Sequence, residues 1–316
     1  MIKIENDNLQ NIADEYYGKL VAWIGIPKKN NKFMQIIKGN KNRYQKMLDF
    51  VYQGILNKEL ILSEPDKLEV HCQLFEKLFK TDIESYKHAK YKARTSFGKF
   101  KSTMETFYKN FTALNGHWLM SQLDITTCPY CNRSYTFTVN AINKRTRPHF
   151  DHFLPKSKFP YLALSFYNLV PACPTCNALK GDKLITLNPY SIDSSDDNLR
   201  FEIPSPKPED LSWIKDKSQI NIVVKSPTGK ADDNIKELGL KPLYEGHKDF
   251  IKEIIDKAQA YNATYYESLI TSFKGLGKTH EEIDRFIWGS YIDIASHGQR
   301  PLSKLTRDIL EQLKIK

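Results

Sequence analysis

The sequence predicts an α+β protein: a mainly helical chain built around a small, metal-held module. Apolar and aromatic residues recur at three- and four-residue spacing in residues 1–127 and again beyond Asp232. Between them, residues 128–183 carry short alternating segments bracketed by two Cys-x-x-Cys pairs. The chain has 316 residues, ample for a buried core without cross-links. A hydrophobic share of 41%, a charged share of 27% and a mean hydropathy of −0.52 exclude wholesale disorder. We therefore divide the chain into a front part (1–127), a middle part (128–183) and a back part (184–316).

In the front part the spacing predicts helices over Leu68 to Phe79, Ile83 to Phe97 and Lys101 to Leu123. In the middle part, Ser134 to Val139 reads as a strand, Asn140 to Thr146 as a turn and Arg147 to Phe153 as a second strand. An apolar stretch follows Pro160 through Val170, and a short helix is expected near Cys176. The back part opens with loop-like stretches at Asn188 to Asp197 and Pro204 to Glu209. Strands are expected at Asn198 to Ile203 and Gln219 to Lys225. Helices are then expected over Lys248 to Ile270, Glu281 to Trp288 and Leu302 to Leu313. Within the first of these, Ile251, Ile254, Ile255, Ala258, Tyr261 and Tyr265 fall on one side and must be buried by something.

The longest apolar run, Leu20 to Pro27, is far short of a membrane span, and the first residues lack the pattern of a secretory leader. The expectation is a cytoplasmic protein with no membrane association. In a reducing compartment five cysteines read as metal ligands or core residues rather than disulfides.

The net charge of +10 is unevenly placed: the excess is +6 in the front, +6 in the middle and −2 in the back. A basic front and middle suit a polyanion, leaving the back for another task. Lys28 to Lys46 holds seven Lys or Arg and no acid; Lys87 to Lys109 holds seven against one Glu. Aromatic residues interleave the second run at Tyr91, Phe97, Phe100, Phe107 and Tyr108, either as stacking surfaces or as helix core.

The most informative feature is an internal echo. Cys128-Pro-Tyr-Cys131-Asn132 recurs as Cys173-Pro-Thr-Cys176-Asn177. Two cysteines separated by two residues let one tight turn aim both sulfurs at one point, so two such knuckles supply a closed tetrahedral Zn²⁺ site. Cys72 has no such partner and reads as a small buried hydrophobe.

Between the knuckles lies Pro148-His149-Phe150-Asp151-His152-Phe153-Leu154-Pro155, then Asn168-Leu169 before the second knuckle. This order of cysteines, Asp-His pair and asparagines resembles the HNH nucleases, the ββα-metal group on a zinc-bearing treble-clef frame. Lys156 to Asn168, and more weakly Leu187 to Tyr190 and Leu238 to Leu240, resemble the HNH subunit of Septu-type bacterial anti-phage systems, which works beside an ATPase. The resemblance implies a metal-dependent endonuclease acting on nucleic acid, DNA ahead of RNA, in antiviral defence with an ATPase partner. It implies His152 as general base and Asp151 and Asn177 as ligands of one divalent cation, Mg²⁺ in the simplest case. Asn168 would support the site by tying down a loop. Arg133, Arg145, Arg147, Lys156, Lys158, Lys180 and Lys183 are candidate phosphate contacts. His149 shares a strand face with Asp151 and reads as either a further ligand or a packing or surface residue. Asp151 and His152 point to opposite faces of a regular strand, so they share a site only if the strand twists, bulges or ends there, which Pro155 suits. Asn132 reads as a turn residue. One such centre cuts one strand per visit, so double-strand cleavage requires two copies or two visits. Two other readings stay open: a zinc-stabilised nucleic-acid-binding or adaptor module without catalysis, and an HNH nuclease directed at RNA.

Overall fold

Helix formation at the front follows the aromatic spacing. The computed structural model describes residues 1–37, 42–142, 144–193, 197–261 and 263–315. The front helices are α1 (Leu9–Ile24), α2 (Arg43–Leu56), α3 (Glu59–Leu62), α4 (Leu68–His88) and α5 (Ser96–Leu123). Asn42 caps α2 with its side chain, and Gln45 reaches back to complete a capping box. The expected helix over Ile83 to Phe97 is not formed as one piece, because α4 continues to His88 and α5 starts afresh at Ser96. The local reason is a stop and restart: Thr95 caps α5 by accepting from the Gly98 amide at 3.0 Å. Of the basic run Lys28 to Lys46, residues 38–41 lie outside the described residues. In the second run Phe97, Phe100 and Phe107 are core and Tyr108 is half-buried, leaving only Tyr91 fully exposed among its named aromatics.

The middle part corrects the expected strands. Ser134 to Thr138 makes only an isolated bridge, Thr127 to Tyr135. The hairpin instead lies at β1 (Val139–Ala141) and β2 (Lys144–Thr146), within the stretch expected to be a turn, whose Asn143 lies outside the described residues. The second expected strand narrows to β3 (His149–His152), which pairs antiparallel with β4 (Leu169–Ala172) rather than with its sequence neighbour. A short helix, α6 (Pro174–Lys180), follows; the Cys173 sulfur accepts from the Cys176 amide at its start.

In the back part β5 (Arg200–Glu202) and β6 (Val223–Lys225) pair, and helices α7 (Asp232–Glu237), α8 (Leu240–Glu245) and α9 (Lys248–Ala260) follow. The chain closes with α10 (Ala263–Gly275), α11 (His280–Trp288) and α12 (Ser303–Gln312). The expected helix over Lys248 to Ile270 is thus two, α9 and α10, and its Asn262 lies outside the described residues. Residues 194–196 of the expected loop at Asn188 to Asp197 do too. Ile251, Ile254 and Ile255 are buried in the chain's own core, Ala258 and Tyr261 pack against it, and Tyr265 is exposed. Among the described residues no helix is long and apolar enough to cross a membrane.

Two hydrophobic cores meet at the middle part. One gathers the four knuckle cysteines, Tyr130, Val170 and Ala172 with the apolar faces of α9 and α12. The other gathers Phe150, Leu162, Phe166 and Leu169 with α1, α2, α4 and α5. Apart from exposed His149 at the start of β3, the β3–β4 ribbon is buried on both faces. Asp151, Val170 and Ala172 turn toward the first core, with exposed His149 at its edge, and Phe150, His152 and Leu169 turn toward the second.

Gly98 marks where the front helices leave no room. A Cβ there would stand 2.0 Å from the Lys92 carbonyl oxygen, so Gly98→Ala must push backbone aside. We expect a loss of about 1–3 kcal/mol in urea unfolding. Gly18 lies exposed in α1 with nothing within 4 Å of its virtual Cβ. Gly18→Ala should instead stabilise by about 0.4–1 kcal/mol.

Candidate active site

Cys128, Cys131, Cys173 and Cys176 are all buried, and their sulfurs lie within 4.8 Å of one another. Four sulfurs each about 2.3 Å from one Zn²⁺ would stand roughly 3.8 Å apart, so the cluster needs only a small contraction to hold the ion. Backbone amides already point at these sulfurs: Arg133 N to Cys131 Sγ, Cys173 N to Cys128 Sγ and Cys176 N to Cys173 Sγ, each 3.4 Å. Such donors stabilise thiolate charge, which a zinc site requires. The buried four-cysteine cluster fits zinc in chemistry and in shape.

The first knuckle is anchored to the back of the chain. Asn132 sits in the left-handed region (φ 47°), which asparagine tolerates better than most residues. Its amide donates to Thr127 Oγ1 at 3.1 Å and to the His297 carbonyl at 2.9 Å, and its Oδ1 accepts from the Lys304 amide at 3.1 Å. The Tyr244 hydroxyl donates to the Cys131 carbonyl.

Within this frame the Asp-His pair diverges, as strand alternation demands. Asp151 is buried; its Oδ2 accepts from the Tyr130 hydroxyl at 2.7 Å and lies 3.2 Å from Lys180 Nζ. Burial raises the Asp151 carboxyl above its ordinary range, against the pull of Lys180 and Tyr130. Burial likewise lowers the Lys180 ammonium, which Asp151 opposes. Lys180 also donates to the His152 carbonyl at 2.6 Å. His152 lies on the other face, against the Tyr108 ring (4.5 Å between centroids), with Nε2 3.1 Å from the Ala163 carbonyl. Burial, reinforced by Lys156, pushes its pKa down to about 3, so the ring is neutral near pH 7. A neutral ring can meet a carbonyl only by donating, which leaves the Nδ1 lone pair free to accept a proton.

Asn177 projects from α6 toward β3, and its side-chain amide lies 3.1 Å from His149 Nδ1. With the amide nitrogen donating to that ring, the Asn177 carbonyl oxygen is left for a cation. Asp151, on β3 beside Lys180, keeps unused lone pairs, since an ionised carboxylate accepts about four hydrogen bonds or ligands. Carboxylate and carboxamide oxygens together suit a hard divalent ion. Asn168 is buried, accepting from Leu154 N at 2.7 Å and donating to the Leu154 and Leu162 carbonyls at 3.1 Å each, and so closes the loop between β3 and β4.

The expected phosphate contacts separate into groups. Arg145 and Lys158 are exposed, whereas Arg133, Arg147 and Lys156 are half-buried. Arg133 lies against His247, Arg147 over the Phe150 ring and Lys156 over the Tyr108 ring. Lys183 is exposed but paired with Glu237 at 3.3 Å. Lys180, expected at the surface, is instead wholly buried against Asp151, because α6 turns that residue inward beside the knuckle. Sequence reasoning missed Tyr130, Lys180 and the Ala163 carbonyl as partners of the Asp-His pair. Lys180 carried a usable signal, standing three residues from Asn177 on one helix face.

The four-cysteine cluster thus stands beside the Asp-His strand β3 and the short helix α6. A family model described as HNH endonuclease matches residues 128–183. No curated protein and no solved structure matches the chain.

Cys173→Ser should lose bound zinc and unfold the middle part at lower urea, whereas Asp151→Asn should keep its zinc; elemental analysis of both purified variants is the check. Lys180→Met leaves a buried carboxylate unpaired and should cost about 3–5 kcal/mol. Adding Asp151→Asn to it should restore much of that loss, a coupling that urea titration of the four-protein cycle reads directly.

Proposed function

We propose that this protein is a metal-dependent endonuclease that hydrolyses phosphodiester bonds in nucleic acid, with 128–183 as its catalytic module. The observation that carries the reading is the HNH match over 128–183, within which a buried four-cysteine cluster stands beside Asp151, His152 and Asn177. His152 acts as general base: the Ala163 carbonyl orients its ring, and Nδ1 takes the proton of the attacking water. Asp151 and Asn177 hold the catalytic divalent cation, Mg²⁺ in the simplest case, and Tyr130 and Lys180 fix the carboxylate in place. When bound, that ion neutralises charge building on the scissile phosphate and the departing oxygen. Arg133, Arg145, Arg147, Lys156 and Lys158 steer the phosphate backbone, and the basic region 1–127 extends that surface.

The resemblance to Septu-type systems extends the proposal to DNA as substrate and anti-phage defence as setting, with an ATPase partner. Region 184–316 is the docking side in this reading. Leu276 and Phe286 are 75% and 72% exposed near the tip of α10 and α11, and the Phe273 ring touches Phe286. Among charged positions on this side, Lys252 and Lys257 of α9 are half-buried and Glu267 of α10 is exposed. Phe286→Asp is therefore the better probe, expected to weaken co-purification with the ATPase.

One observation favours a second reading, a nucleic-acid-binding module that does not cut: Asp151 and His152 are both buried, and the carboxylate is already partnered. Incubation with plasmid, linear DNA and total RNA, each with and without Mg²⁺, separates the two. The proposal expects Mg²⁺-dependent cutting of DNA; binding without cutting of any substrate supports the module. His152→Ala should slow cleavage about 10²–10⁴-fold at unchanged nucleic-acid affinity. Full cleavage by that variant would remove His152 from the mechanism.

A further inference from the structure

The hairpin between the first knuckle and β3 serves no purpose in the fold that the packing reveals. Every residue of β1 and β2 is exposed, and an isolated two-stranded ribbon is marginal in water. Its approach is nevertheless held firmly. Thr136 is buried, with its amide donating to the Thr126 carbonyl at 2.9 Å and its hydroxyl to the Ile125 carbonyl at 2.7 Å. With Thr136 pinned inward, Tyr135 and Phe137 face outward together. They are 49% and 57% exposed, and their rings are stacked 4.5 Å apart with planes 18° from parallel. Beyond them Val139 is exposed, and Ile142 at the hairpin end is 92% exposed.

The charge along this stretch of chain is of one sign. From Ile125 to Phe150 the sequence contains no Asp or Glu but four Lys or Arg. Of these, Lys144 and Arg145 are exposed on β2, and neither is ion-paired among the described residues. Exposed aromatic π-faces and unpaired cations on one acid-free stretch of chain match the bases and phosphates of an unstacked nucleic-acid strand. A protein partner of ordinary composition offers no such match without a complementary acidic patch. Arg147 and Pro148 alone separate β2 from β3, so the hairpin end lies within about 25 Å of His149 along the chain.

We infer that the 135–146 arm is a base-stacking clamp that selects nucleic acid with unpaired bases, single-stranded or locally opened, and presents it to the centre on β3. Tyr135 and Phe137 receive the bases, Ile142 wedges at the end, and Lys144 and Arg145 take the phosphates. This rests on the nuclease reading and adds its substrate class.

The test uses the full-length zinc-loaded protein without added divalent cation, titrated by fluorescence anisotropy against a labelled single-stranded oligodeoxynucleotide and the matching duplex. Tyr135→Ser/Phe137→Ser should weaken single-strand binding by about tenfold per ring while leaving the salt dependence unchanged, because the rings carry no charge. Lys144→Ala/Arg145→Ala should weaken binding to both and flatten the salt dependence. Phe137→Trp should retain wild-type affinity. Zinc content is measured in parallel; if the double serine variant loses zinc, Ile142→Ser takes its place, with the same expected preference for a single-strand defect.

Unchanged single-strand affinity in the ring variants would overturn the clamp, as would equal losses on single strand and duplex. Loss of a co-purifying protein at unchanged nucleic-acid affinity would assign the arm to a protein partner and overturn it too. The two readings fail separately. Wild-type cleavage by His152→Ala alongside lost single-strand binding by the ring variants removes the catalytic assignment and keeps the clamp. His152-dependent cleavage alongside intact ring variants does the reverse.

Discussion

Four sulfurs that must converge on one point govern the geometry of everything around them. Cys128 and Cys131 lie more than forty residues before Cys173 and Cys176, and joining the pairs closes the intervening chain into one loop. That closure puts Tyr130, inside the first knuckle, against Asp151, and puts α6, launched from the second knuckle, along the same face of β3. Lys180 at the end of α6 then meets the Asp151 carboxylate from the other side. The carboxylate is held at once by a residue of each knuckle's neighbourhood. Its position is a property of the clamp rather than of the strand that carries it.

The β3–β4 ribbon then acts as a partition. On one side it meets the knuckles and the back helices, on the other the aromatic core of the front helices. Burying all but His149 of so short a ribbon gives it rigidity that two strands alone lack. It also divides the labour of adjacent residues. Asp151 looks toward the clamp, and His152 looks toward Tyr108 and the Ala163 carbonyl, where burial keeps its ring neutral. The burial of His152 in particular has a chemical cost, since a ring that resists protonation is a reluctant base. In the proposed reaction a bound phosphate would bring negative charge near the ring and ease that resistance.

The cysteine clamp was legible in the sequence because its signal is local and repeated. Strand alternation warned that Asp151 and His152 diverge, and the twist expected to bring them onto one face before Pro155 is not what their separate partners show. The pairing of β3 was not legible. Its partner β4 lies beyond a loop of short turns in a continuous apolar run, and a segment buried on both faces shows no alternation to read. The hairpin was misplaced because Ser134 to Thr138 alternates as a strand does, yet uses that alternation to expose two rings rather than to fill a sheet. Lys180 looked like a surface charge because lysine seldom appears fully buried; only the carboxylate it meets explains its place.

If the centre works as proposed, the clamp sets the chemistry at Asp151 through Tyr130. Tyr130→Phe removes only the hydroxyl that donates to the carboxylate and leaves the ring, the cysteines and Lys180 in place. The direct measurement is the Mg²⁺ dependence of cleavage by this variant, with its zinc content as internal reference. The account predicts wild-type zinc with slower cleavage and a shifted Mg²⁺ requirement. Wild-type zinc with wild-type cleavage at every Mg²⁺ concentration would contradict it.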